Sequence, residues 1–251
     1  HTSLLISLWA VGTLFAYLAV QRQRLVYWVL LGLFMALAML TKYYAVTLVG
    51  AIGAWILFTP RGRGSFRSPG PYVAVVVFLA VLYPHVDYVL SQNVATIRHA
   101  GDYFFPASLM ARWAPIKFFL AQVTYAVPAV LVFLIATRSS FVRHRIRAAL
   151  RTPELPEGAG VAYMVMLFPL LATALPGLVL GVEVSSRWGG PILITAGLVL
   201  ALQYPVNLTS VQCGRIALWA LGYAVIVPAS MLLVIAQGAV EPRYSFPGRE
   251  L

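Results

Sequence analysis

Short arginine clusters separate one long apolar run from the next along almost the whole chain, and that alternation restricts the fold more than any other feature. Eight runs appear: Ser3–Val20, Leu25–Leu40, Tyr43–Phe58, Tyr72–Leu90, Ile116–Thr137, Val161–Val182, Gly189–Tyr204 and Ile216–Ala236. About 20 apolar residues in a helix cross a bilayer, and somewhat fewer suffice. Lipid offers no hydrogen-bond partner to a peptide group, so a segment of this length that spans must be helical. Only 10% of the residues are charged, 61% are hydrophobic and the mean hydropathy is +0.86. A soluble domain carries roughly 25% charged residues, and 251 residues could not hide this much apolar surface from water. The expected fold class is therefore all-α: a polytopic transmembrane helical bundle of about eight spans, in a single domain over residues 1–251.

The second and third runs are short and nearly continuous. Thr41-Lys42 interrupts them, and arginines flank the pair at both outer ends, so a tight out-and-back hairpin is expected in place of one long helix. Basic residues concentrate on the cytoplasmic side of membrane proteins. With Arg22 and Arg24 inside, so are Arg61, Arg63, Arg67, Arg138, Arg143, Arg145, Arg147, Arg151 and Arg215, opposed only by Glu154 and Glu157. The other face holds Lys42, Arg98, Arg112, Lys117, Arg187, Arg243 and Arg249, with Asp87, Asp102, Glu183, Glu241 and Glu250. The asymmetry predicts both chain ends on the extracytoplasmic face. The net charge of +11 does not indicate nucleic acid, because the arginines sit between apolar runs and form no single basic face. One cysteine, Cys213, excludes an internal disulfide framework. No basic stretch or cleavage site marks a signal peptide, and a start at His1 in a helix-like pattern leads us to expect further residues upstream.

The candidates for chemistry lie on the extracytoplasmic face. Lys42, in Leu40-Thr41-Lys42-Tyr43-Tyr44-Ala45, stands at the tip of the expected hairpin. Such a lysine either snorkels to headgroups or faces a cavity and binds a phosphate as a point charge, with Tyr43 and Tyr44 as hydroxyl donors. His85 and Asp87 follow Pro84, and Arg98, His99 and Asp102 lie on the next loop, Ser91–Pro115, among Tyr103, Phe104, Phe105 and Trp113. These form either a solvated loop with a local Arg–Asp pair or a polar site roofed by rings. No metal site is expected, since His85 and Asp87 at i, i+2 do not share a helix face and no third ligand stands at a recognisable spacing. Arg187-Trp188 is either an aromatic-belt anchor or a second cation aimed at the same cavity. The sequon Asn207-Leu208-Thr209 falls on the expected cytoplasmic side and reads as chance.

Trp28–Ala45, WVLLGLFMALAMLTKYYA, resembles the segment W-x-x-x-G-x-x-x-G/A-L-A-x-L-[ST]-K-Y-x-A of bacterial membrane glycosyltransferases of the C-type fold. These are relatives of protein O-mannosyltransferases, of aminoarabinose transferases acting on lipid A, and of rhizobial lipopolysaccharide-core transferases. A tract around Asn93–His99 is similar to the family's N-x-x-x-[TS]-[FI]-x-H pattern, with one residue fewer between Asn93 and Thr96, and Phe118-Phe119-Leu120-Ala121-Gln122 with Pro128 to its F-F-x-x-Q…P helix. Arg187-Trp188 with Pro191 resembles its R-W-x-x-P turn, and Glu241–Leu251 the start of the segment leading to a C-terminal extracytoplasmic part. The chain departs from the family at Pro84-His85-Val86-Asp87-Tyr88, where P-N-x-x-W is common.

The resemblance implies transfer of a sugar from a polyprenyl-phosphate carrier to a lipid, glycan or protein acceptor at the outer face of a bacterial inner membrane. The polyprenyl-phosphate-linked sugar is then the donor substrate, membrane lipids and an envelope acceptor are the partners, and no other cofactor is implied. Such chemistry needs a carboxylate to take the acceptor's proton and cations to stabilise the departing phosphate. Lys42, Arg98, His99 and Arg187 are the expected phosphate ligands, and Tyr43, Tyr44, His85, Asp102 and Trp188 the expected cavity walls. The family's acidic residues belong to a first outer loop with no counterpart here. The base is expected upstream of His1, with Asp87 as the fallback, and the chain by itself is expected to be inactive. A polytopic secondary transporter is the alternative, although no inverted repeat or mid-span acid is evident. A non-catalytic assembly subunit is a third reading, whose mark would be small-xxx-small faces without clustered outer charge.

Overall fold

The computed structural model describes residues 2–92, 113–137, 158–180, 186–203 and 209–236. Among them the chain is almost wholly helical and contains no strand. The α-helices are α1 (Thr2–Arg22), α2 (Leu25–Thr41), α3 (Val46–Phe58), α4 (Pro60–Ser65), α5 (Gly70–Gln92), α6 (Ala114–Thr137), α7 (Ala159–Leu180), α8 (Gly190–Gln203) and α9 (Ser210–Ala236). Two 3₁₀ turns, Tyr43–Ala45 and Ser186–Gly189, precede α3 and α8. Each of the eight apolar runs thus forms helix.

Among the described residues three stretches, Leu4–Arg22, Gly70–Ser91 and Ala159–Val179, are long and apolar enough to cross a membrane, and Leu25–Thr41, Tyr43–Phe58 and Gly190–Val199 are shorter apolar helices. Only 11% of the Gly70–Ser91 window is buried. Tyr72, Val75, Val76, Leu79 and Tyr83 all stand exposed along it. Water would penalise such a face by roughly 25 cal/mol per Å² of apolar surface, whereas lipid would not. The chain is a multi-pass helical membrane protein.

The breaks between helices have local causes. Gln23 ends α1 in the left-handed region at φ 52°, and its amide donates to the Val20 carbonyl at 2.8 Å, satisfying a group the helix end leaves open. Thr59 serves two helices at once. Its hydroxyl donates to the Trp55 carbonyl at the end of α3 and accepts from the Gly62 N–H at the start of α4, where Pro60 occupies the first turn. Lys42 takes an extended backbone, φ −163° and ψ 128°, and breaks the chain between α2 and α3 as expected.

The chain divides into two compact units. The first comprises His1–Val127 and Ala149–Pro205. In it α2 packs between α1 and α5, α3 packs against α7, and α8 lies on α7 and α1. The tight α2–α3 hairpin of the sequence reading is therefore only half right. The chain does turn at Lys42, but the principal partners of α2 are α1 and α5, and an apolar groove opens between α2, α3 and α5. The reason is side-chain size along one face of α2. Trp28 lies over Gly70, and a Cβ on Gly32 would come within 3.1 Å of the Ala74 carbonyl carbon and Cα. Small residues allow such close approach, and α5 offers Gly70-x-x-x-Ala74 where α2 offers Trp28-x-x-x-Gly32. Equal offsets at both contacts mean that α2 and α5 run parallel. The core around these helices holds Trp9, Trp28 and Trp55, all buried.

One end of this unit gathers arginine. The Gln23 amide donates to the Ser65 hydroxyl at 2.5 Å, tying the α1–α2 turn to α4. Arg22, Arg24, Arg61, Arg63 and Arg67 are exposed on these joined segments. Arg63 also donates to the Leu57 and Phe58 carbonyls, at 3.3 and 3.4 Å, and so caps α3.

The second unit comprises Pro128–Ala148 and Val206–Leu251. Its α9 begins at Ser210, six residues before the apolar run at Ile216, and takes Arg215 into the helix. A reciprocal cap sets this start. The Thr209 N–H bonds Gln212 Oε1 at 2.9 Å, and the Gln212 N–H bonds Thr209 Oγ1 at 3.3 Å. The threonine of the apparent sequon is thus a helix cap.

Candidate functional site

The candidate site lies at the end of the first unit opposite the arginines. Lys42 is the joint. Its N–H closes α2 on the Ala38 carbonyl at 3.1 Å, and its own carbonyl accepts from the Ala45 N–H at 2.9 Å. With the backbone engaged in both helices, the half-buried side chain projects from the point where they part.

Each neighbouring tyrosine reaches a different helix. The Tyr43 hydroxyl and His85 Nε2 are 2.8 Å apart, and their ring centroids 5.8 Å apart. Tyr43 is half exposed, so this phenol–imidazole pair borders open space. Which group donates depends on the histidine tautomer. Tyr44 turns inward. Its hydroxyl and Thr173 Oγ1 are 2.8 Å apart, and Thr173 donates to the Pro169 carbonyl at 2.6 Å. The Tyr44 ring stacks on Trp9, centroids 6.2 Å apart, and packs against Trp188 at 5.6 Å. Thr47 holds the turn by donating to the Tyr44 carbonyl at 2.9 Å.

Tyr44 therefore joins α1, the Lys42 turn, α7 and the Ser186–Gly189 turn that carries Arg187 and Trp188. Lys42 and Arg187 are 145 positions apart in sequence. Their segments meet because one ring, two residues beyond Lys42, lies between Trp9 and Trp188. The turn at Trp188 is seated from below by α6. Gln122 is buried and donates to the Phe118 carbonyl at 3.2 Å. Its amide occupies the space where a Cβ on Gly189 would lie, so the glutamine side chain packs directly on the glycine backbone. Phe118 and Ile192 form a small core there with Trp188 against it.

Several predicted site residues are thus assembled: Lys42, Tyr43, Tyr44, His85 and Trp188 share one end of the unit. Asp87 is exposed on α5, two residues beyond His85 and on a different face of the helix. Arg98, His99 and Asp102 lie outside the described residues, as does Glu183. Sequence reading missed Trp9 and Thr173, and it named Gln122 only within the F-F-x-x-Q resemblance, with no role at the site. Thr173 and Gln122 carried a usable signal, since a polar side chain in an apolar run must find a partner inside the bundle. Trp9 carried none, because a tryptophan in such a run is equally at home facing lipid.

These features define a helical membrane protein with a cation, a phenol–imidazole pair and a ring-braced turn at one end and an arginine collar at the other. Residues 1–88, about a third of the chain, match the family model described as dolichyl-phosphate-mannose-protein mannosyltransferase. The match supports a membrane glycosyltransferase family, and it covers Lys42, Tyr43, Tyr44, His85 and Asp87. Comparisons with curated proteins and with solved structures give no match.

Proposed function

We propose that the protein transfers a sugar from a polyprenyl-phosphate carrier to a lipid, glycan or protein acceptor at the extracytoplasmic face of a bacterial inner membrane. In this reading eight spans adopt the C-type glycosyltransferase fold, with the arginine collar on the cytoplasmic side. The observation that carries the proposal is the Lys42 turn, which sets a cation at the end opposite the collar and is braced by Tyr44 against the Arg187–Trp188 turn.

The lipid phosphate gains negative charge as the sugar leaves, so preorganised cations near it lower the barrier. Lys42 and Arg187 are the proposed phosphate ligands from these two turns, joined by Arg98 and His99. Tyr43, Tyr44, His85, Asp102 and Trp188 line the cavity for the sugar and the acceptor. The acceptor hydroxyl must lose a proton as it attacks the anomeric carbon. Asp87 is the fallback base within this chain.

The test uses membranes from cells carrying the native gene. Given a panel of polyprenyl-phosphate-linked sugars, they should release free polyprenyl phosphate, and a gene deletion should abolish that release for one donor. Gene-dependent uptake of a solute into sealed vesicles, with no carrier release, would establish the transporter reading instead.

A second expectation concerns sidedness. Single cysteines in 60–71 and 138–160, in a Cys213→Ser background, should stay unlabelled by an impermeant thiol reagent in intact cells and label after lysis. Labelling of either segment in intact cells would reverse the orientation.

A further inference from the structure

The collar end carries a second feature that the transfer reading does not use. Between α2, α3 and α5 lies a groove of about 380 Å³ whose walls are almost wholly apolar. Trp28 and Met35 line one side, Ile52 and Gly53 another, and Phe66 and Tyr72 stand at its collar end. The Phe66 and Tyr72 rings meet edge to face at 6.3 Å, and the Tyr72 hydroxyl donates to the Phe66 carbonyl at 3.3 Å, so this lip is a built structure. A volume of this order suits a length of hydrocarbon chain, and Tyr72 and Val75 of its α5 wall are exposed at the protein surface.

Charge identifies the occupant. Three exposed arginines border the lip. Arg67 follows Phe66, Arg63 is held on the Leu57 carbonyl beside the groove, and Arg24 lies one turn before Trp28. The first acidic residue in the chain is Asp87, so residues 1–86 contain no carboxylate to balance them. An apolar slot that ends beside exposed guanidinium groups, on segments that carry no carboxylate of their own, matches a molecule with an acyl chain and an anionic head.

We propose that this groove is a binding site for an anionic glycerophospholipid, one acyl chain lying between α2, α3 and α5 and the phosphate at Arg24, Arg63 and Arg67. The site is distinct from the Lys42 end and does not depend on sugar transfer.

Gly53 makes the proposal testable without touching the charges. It lines the groove, and no atom lies within 4 Å of where its Cβ would be. Gly53→Leu should therefore fill the slot while favouring the helix. The full chain would be placed in vesicles of phosphatidylcholine containing phosphatidylglycerol, with bromine on the acyl chains of one lipid or the other. Bromine quenches tryptophan on contact, and Trp28 forms part of the wall. Wild type should prefer the brominated phosphatidylglycerol by about fivefold or more, the factor contributed by one arginine near an anionic surface. Both Gly53→Leu and the triple variant Arg24→Gln, Arg63→Gln, Arg67→Gln should lose that preference. If the triple variant fails to insert, Gly53→Leu alone decides, since it keeps every arginine. Equal quenching by the two lipids in wild type would overturn the proposal. So would a preference that survives Gly53→Leu, which would reduce it to general attraction of surrounding lipid. Displacement of the brominated lipid by stoichiometric polyprenyl phosphate would give the groove to the carrier and overturn it as well.

Discussion

Replacing Lys42 with alanine should lower sugar transfer by about two to three orders of magnitude, the usual cost of removing one preorganised group that meets developing negative charge. The argument rests on position. The lysine backbone is committed to both α2 and the following 3₁₀ turn, so the side chain has little freedom to be replaced by a neighbour, and no other Lys or Arg lies between Arg24 and Arg61. The variant should still fold, because the helix-ending hydrogen bonds of Lys42 come from its main chain. Lys42→Arg should recover part of the rate, since a planar guanidinium keeps the charge but not the compact shape of an ammonium. The measurement is carrier release in native membranes at matched protein level. Transfer at the wild-type rate in Lys42→Ala would make the residue a headgroup anchor and leave the phosphate to other cations.

A pair of identical substitutions should have opposite effects on stability. Gly32→Ala should destabilise the protein by about 1–3 kcal/mol, the range for forcing an extra methyl into a packed site. Its Cβ would press on the Ala74 backbone, which cannot move aside as a flexible side chain would. Gly53→Ala, on the next helix, meets nothing within 4 Å and should be neutral or stabilise by up to about 1 kcal/mol through helix propensity. Thermal unfolding in one detergent compares the two directly. Equal shifts would mean that the close α2–α5 contact does not limit stability.

This pair also shows how the sequence should be read. Trp28-x-x-x-Gly32 looks like a family signature, and in the fold it is one half of a helix contact whose other half is Gly70-x-x-x-Ala74. Of that stretch, Lys42 is the residue we propose for chemistry. A repeated apolar-small pattern records packing, and the charge at the helix break is where we propose the site.

Length and polarity alone determined the helices. Each apolar run became helix because a peptide group in lipid must bond within its own segment, and that requirement is local. The break at Lys42 was legible for the same reason, as was the grouping of Arg22 and Arg24 with Arg61, Arg63 and Arg67. The start of α9 was missed because the cap at Thr209 and Gln212 depends on two polar residues outside the apolar run, which hydropathy does not register. Which helix lies beside which was decided only in three dimensions. Apolar faces are interchangeable to a pattern search, whereas packing distinguishes Gly32 from Gly53 by whether another backbone occupies the space. The meeting of Tyr44 with Trp9, Thr173 and Trp188 is of that kind. Four residues from four segments converge because α3 turned from α2 toward α7, and no spacing along the chain contains that choice.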